Sequence, residues 1–171
     1  MMKLIKYKDK LYYLGFYLDT IMQKVNHIFH VEFNSENDKV YKLTFMTNEK
    51  SNNKYAIDIY INYIEKRLLF ETIQNVLNGD KEVIELTFSN KIDCHNRVYY
   101  KLSQFVNTEC LEFSNITILM KLKIYRDKNF VIIEPKVSYS YLPITMKDLD
   151  TYIYPVLLSE NTINEIKSNY E

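Results

Sequence analysis

Glycine is nearly absent from this chain: Gly15 and Gly79 are the two in 171 residues. Loops that cradle phosphate need several glycines close together, because the backbone must approach the ligand with no Cβ in the way. Two isolated glycines therefore exclude a P-loop and a dinucleotide fingerprint. No serine stands between glycines, so a nucleophile elbow is excluded as well. Histidine (His27, His30, His95) and cysteine (Cys94, Cys110) are scarce, and tryptophan is missing. Two cysteines make one disulfide at most, and no framework is implied. Prolines are confined to the last third, at Pro135, Pro143 and Pro155.

An excess of either charge is also missing, with 22 basic residues against 22 acidic. A dedicated nonspecific nucleic-acid binder draws its affinity from phosphate neutralisation and usually carries a basic excess. No apolar run approaches the roughly 18 residues that span a bilayer. The opening residues, Met1 to Tyr7, turn charged before any apolar region develops, so no secretory leader is expected. Asn115-Ile116-Thr117 then reads as a chance match to the glycosylation acceptor. The protein is expected to be cytoplasmic, with reduced thiols.

Alanine occurs once, at Ala56, and arginine three times, at Arg67, Arg97 and Arg126. Lysine, asparagine, isoleucine and tyrosine are abundant instead. The abundant residues have A/T-rich codons and the scarce ones mostly do not. The composition implies an A/T-rich genome: a low-GC bacterium, its phage or plasmid, or a large DNA virus.

What is present is ample apolar and aromatic material. At 47% hydrophobic and 26% charged residues the chain has the balance of a globular protein. A single domain over residues 1–171 is expected, burying about 70% of its extended-chain surface. Period-two alternation marks half-buried strands. Tyr41, Leu43 and Phe45 share one face; Tyr55, Ile57, Ile59 and Ile61 another; Ile84, Leu86 and Phe88 a third. The longest alternation runs from Ile116 to Arg126 and turns through Asp127-Lys128-Asn129 into Phe130–Ile133, a hairpin. Leu4–Tyr7 and Leu11–Leu14 form a second hairpin across Lys8-Asp9-Lys10, and Val31–Phe33 a third with Val40–Lys42.

Helical spacing appears at Leu18, Ile21, Met22, Val25 and Ile28, and again at Leu69, Ile73, Val76 and Leu77, where Asn78-Gly79 reads as a C-cap. Val98 to Val106, Met146 to Leu158 with a break at Pro155, and Glu160 to Ser168 complete the expected helices. The fold class is α+β: a mainly antiparallel sheet built from hairpins, with several helices on one face. A β-sandwich with peripheral helices is the alternative.

Candidate chemistry is thin. His27 and His30, with Cys94 and His95, fall short of the paired ligand spacing of a zinc site, so no metal is expected. Cys94 and His95 are neighbours, and neighbours in a strand point to opposite faces, so they make no catalytic pair. Glu32, Asp58 and Glu85 fall on outer strand faces, which equally describes a solvated sheet. Asp148 and Asp150 would diverge on a helix. No catalytic residue and no cofactor is expected.

The strongest candidate is a basic and aromatic face. Lys121, Lys123 and Tyr125 alternate outward on one strand, with Arg126 at the turn; Lys3, Lys6, Lys8 and Lys10 add charge at the N-terminus. The stretch from Thr145 to Glu171 is acidic by contrast. Such a face meets an acidic protein surface or a nucleic-acid backbone with stacked bases. Sixteen tyrosines, in clusters such as Tyr12-Tyr13, Tyr99-Tyr100 and Tyr139-Ser140-Tyr141, leave some rings exposed. Exposed tyrosine suits a binding surface, because it joins a large apolar area to a polar tip. The expectation is a non-enzymatic protein-binding factor, an inhibitor or immunity-type protein of a phage, virus or mobile element. Lys121, Lys123, Tyr125 and Arg126 are its binding residues. Nucleic-acid binding by the same face, and a carboxylate- or cysteine-dependent hydrolase, are the alternatives.

Overall fold

The alternating segments of the sequence become the strands of two sheets. A computed structural model describes residues 3–22, 39–48, 56–80, 82–93, 115–141, 144–148 and 152–170. Five strands come first: β1 (Lys3–Tyr7), β2 (Lys10–Leu14), β3 (Tyr17–Met22), β4 (Lys39–Asn48) and β5 (Ala56–Asn62). Helix α1 (Tyr63–Leu77) leads into β6 (Val83–Asp93), β7 (Asn115–Asp127) and β8 (Phe130–Tyr141). Short strands β9 (Ile144–Asp148), β10 (Tyr152–Ile153) and β11 (Val156–Ser159) precede α2 (Glu160–Tyr170).

The large sheet has the order β1-β2-β11-β8-β7-β6, with β9 also paired to β8. The small sheet has the order β10-β4-β3, with β5 also paired to β4. Pairing is antiparallel except between β2 and β11, which run parallel. Alternation decides which side chains meet. Leu43, Phe45, Ile59 and Ile61 from the small sheet join Phe88, Met120, Leu122 and Ile124 from the large sheet in one core. Helix α1 adds Leu69, Ile73 and Val76, and lies against β4 and β5 of one sheet and β6, β7 and β8 of the other.

Asn62 starts α1 with a capping box. Its side chain accepts from Glu65 N at 2.8 Å, and Glu65 Oε1 accepts from Asn62 N at 3.0 Å. Gly79, at φ +83°, ends the helix in the left-handed conformation, as its place after Asn78 predicts. Gly15, at φ +91°, sits where the chain leaves β2 in the large sheet for β3 in the small one. Tyr154-Pro155 makes the reverse passage from β10 to β11, and the two passages are joined by Tyr13 N to Pro155 O at 2.9 Å and Gly15 N to Leu157 O at 3.3 Å. Both glycines thus occupy positions where a side chain is strained.

The sheet-rich, mainly antiparallel class, the β7–β8 and β1–β2 hairpins and the helices at Leu69–Leu77 and Glu160–Ser168 stand as the sequence predicts. Four expectations are corrected. The strands divide into two sheets sharing one core, as in the alternative arrangement, and the described residues hold two helices rather than several. Residues 18–22 of the expected first helix lie in β3, because Lys39–Leu43 of β4 pair with them along their whole length. The described residues of the expected Met146–Leu158 helix belong to β9, β10 and β11 instead: Pro155 has no N–H to donate and biases Tyr154 towards extended backbone. Strand β4 takes β3 and β5 as its neighbours. The expected partner at Val31–Phe33 and the helix at Val98–Val106 lie outside the described residues.

Candidate functional site

The outer face of the large sheet carries the residues the sequence singles out. Cross-strand register places Glu85, Lys123 and Glu134 in one row and Thr87, Lys121 and Lys136 in the next. Lys121, Lys123 and Lys136 are exposed, whereas Tyr125 is half-buried. The Tyr125 hydroxyl donates to Glu134 Oε1 at 2.6 Å, and Lys123 Nζ lies 5.6 Å from its ring centroid. Burial and the bond to Glu134 push the Tyr125 phenol up, so it remains a donor. A ring held by a hydrogen bond and a cation is a pre-organised anchor.

Arg126 does not join them. One residue on from Tyr125, it projects to the other face. There its Nε donates to the Lys128 carbonyl at 2.8 Å, and its Nη1 stands 3.6 Å from where a Cβ on Gly79 would lie. The structure therefore brings together three of the four expected binding residues.

A small second core underlies this face. Tyr12, Ile132 and Leu157 are buried there, with Ile5, Tyr7, Tyr125 and Phe130 packed around them. The β1–β2 hairpin supplies the Tyr7 ring, 5.3 Å from Phe130 and 6.0 Å from Tyr12. Lys8 Nζ reaches Asp127 Oδ2 at 2.9 Å, and tied in this way the Lys8 ammonium has its pKa raised by that carboxylate. Lys10 Nζ lies 5.9 Å from the Tyr12 ring centroid.

The expected polarity between a basic face and an acidic C-terminal stretch is lost where β9 pairs with β8. Lys136 Nζ lies 3.1 Å from Asp148 Oδ2, and Ser138 Oγ donates to Asp148 Oδ1 at 3.1 Å. Both contacts hold the Asp148 carboxyl below its ordinary range. The face is a mosaic of alternating charge.

The expected carboxylate readings find no shared site. Asp58 lies in the small sheet, accepting from the Thr44 hydroxyl, whereas Glu85 is exposed on the large sheet. Glu32, Asp150, His27, His30, Cys94, His95 and Cys110 lie outside the described residues. Among the described residues, no three His, Cys, Asp or Glu side chains are grouped to hold a metal ion.

One feature escaped the sequence reading. Lys66 on α1 is 2% exposed, with its Nζ 4.8 Å from the Tyr41 ring centroid, 5.0 Å from Tyr63 and 5.5 Å from Phe70. Its signal was available: extending the apolar stripe of Leu69, Ile73 and Val76 back by three positions lands on Lys66. Beside it runs a cleft of about 640 Å³.

No helix is long and apolar enough to cross a membrane among the described residues. No known protein family, curated protein or solved structure matches the chain.

Proposed function

We propose that the chain is a non-enzymatic binding factor that masks a protein partner with the outer face of its large sheet, at Lys121, Lys123 and Tyr125. The observation that carries this reading is the pinned Tyr125 ring, bonded to Glu134 and covered by Lys123. Such an anchor loses little conformational entropy on binding, and the flanking lysines steer an acidic surface towards it. The mechanism is steric and electrostatic masking, in keeping with an inhibitor or immunity-type factor acting in the cytoplasm.

The interleaved carboxylates favour a protein over a nucleic acid. Glu85 and Glu134 flank Lys123, and Asp148 pairs with Lys136. A phosphate backbone would meet those carboxylates as repulsion, whereas a protein surface can offer cations to them.

The test is co-purification of a tagged chain from a low-GC bacterial host, with wild type beside Lys121→Glu/Lys123→Glu. A stoichiometric protein captured by wild type and lost from the double variant supports the proposal. Nuclease-sensitive nucleic acid in place of a protein transfers the face to the nucleic-acid reading. Equal capture by both chains moves the interface elsewhere.

A further inference from the structure

The large sheet ends on two strands of opposite character. Its β1 edge carries exposed lysines at Lys3 and Lys6. Charge of that kind keeps an edge strand from pairing with another chain. The β6 edge has no such guard. From Val83 to Ser89 it holds one charged side chain, Glu85, and neither lysine nor proline. Val83 is 54% exposed, and Ile84 and Leu86 are only partly covered by the core they pack against. Among the described residues, no strand pairs with β6 on the side away from β7. The main-chain groups along that side are a template for one more strand.

The open stretch has definite limits. It starts at Val83, where β6 starts, and stops before Asn90, whose side chain already holds the main chain of Tyr60 in β5. Leu86 is its midpoint. A two-fold axis normal to the sheet at Leu86 sets Val83 opposite Ser89 of a second copy, Ile84 opposite Phe88 and Glu85 opposite Thr87. Residues opposite one another in antiparallel strands share a face. The core-facing row of Ile84, Leu86 and Phe88 therefore meets its own apolar counterpart. On the outer face each Glu85 meets a Thr87, and in the ladder Lys121 stands next beyond that threonine. An axis at Glu85 would oppose that carboxylate to itself. An axis at Thr87 would set Ile84 opposite Asn90, which is engaged with β5.

We propose that the β6 edge pairs with a second copy of this chain, antiparallel and two-fold, joining two large sheets into one. A contact of this symmetry closes on itself, so it uses both β6 edges and leaves the two lysine-bearing β1 edges outermost. Balanced charge, 22 basic against 22 acidic residues, sets no net repulsion between the copies. The outer sheet faces of both copies stay open. The pairing is independent of the proposed protein interface, and either can stand without the other.

The experiment is sedimentation of the full chain over a dilution series. A reversible monomer–dimer equilibrium with no larger species is expected. Thr87→Glu, an exposed substitution, sets a carboxylate opposite Glu85 of the other copy twice in each dimer, and should weaken the dimer about tenfold. Glu85→Lys/Thr87→Glu opposes unlike charges at both places and should recover wild-type affinity. Circular dichroism of each variant reports that the fold is kept. A chain that stays monomeric up to about 0.1 mM overturns the inference. A dimer equally tight in Thr87→Glu overturns it too, as does one that the charge-swapped pair fails to recover. Open-ended polymers in place of a dimer overturn the two-fold arrangement.

Discussion

The Asn90 side chain hydrogen-bonds twice to the main chain of Tyr60: its Nδ2 donates to Tyr60 O at 2.8 Å, and its Oδ1 accepts from Tyr60 N at 2.7 Å. One amide thereby replaces a rung of ladder between β6, at the edge of the large sheet, and β5 of the small sheet. Asn90 is 2% exposed, so nothing else can satisfy those groups cheaply. Asn90→Ala should cost about 2–4 kcal/mol in chemical denaturation, since both Tyr60 groups lose a buried partner. Asn90→Asp keeps the shape but cannot donate to Tyr60 O, and should be destabilising near neutral pH as well.

The hairpin turns should be improvable. Lys8 and Asp9 have φ of 47° and 64°, and Lys128 has 55°, in a chain whose glycines are used elsewhere. Left-handed backbone is strained for residues with a Cβ. Asp9→Gly and Lys128→Gly should each raise stability by about 1 kcal/mol, read as a higher denaturant midpoint. Neither change touches the Lys8–Asp127 bridge.

Tyr7 carries a cost of another kind. Its hydroxyl oxygen is buried and finds no hydrogen-bond partner among the described residues. Tyr7→Phe removes the orphaned group and keeps the ring against Tyr12 and Phe130. Stability should rise by about 1 kcal/mol. A loss of stability would mean that the hydroxyl does have a partner.

Glu65 should give a pH signature. Burial raises its carboxyl pKa, outweighing the hydrogen bond it accepts from Asn62 N. The folded chain therefore favours the protonated form, and that contribution is lost as pH rises through the folded pKa. Glutamine also completes a capping box. Glu65→Gln should be more stable than wild type at pH 7, with the gain vanishing below the ordinary carboxylate range. Denaturation midpoints at pH 7 and pH 3 measure it.

How legible this was in the sequence depended on how long a pattern ran. From Ile116 to Arg126 the alternation lasts long enough to admit one reading, and the β7–β8 hairpin follows it. Leu18, Ile21 and Met22 fit helix and strand alike, and the choice belongs to β4, whose pairing no local pattern announces. At Tyr152–Leu158 the single break expected at Pro155 is a passage between sheets. The site was partly legible: alternation puts Lys121, Lys123 and Tyr125 on one face, and the same rule sends Arg126 to the other. The charge mosaic was not legible, because Asp148 meets Lys136 through β9, where the sequence pattern predicts helix. Asn90 was invisible, since its role exists only once β5 and β6 are side by side.

The parallel pairing of β2 with β11 joins residues more than a hundred positions apart, at Tyr13 with Val156 and Leu14 with Leu157. Closing so long a loop carries an entropic cost before any contact rewards it. The β1–β2 hairpin and the β7–β8 hairpin can form locally and early, but the strand that docks one beside the other, β11, follows both in the chain. Until then the Ile132 side of the sheet lacks its cover. Conditions that slow the docking of β11 should therefore favour aggregation and proteolysis of this chain.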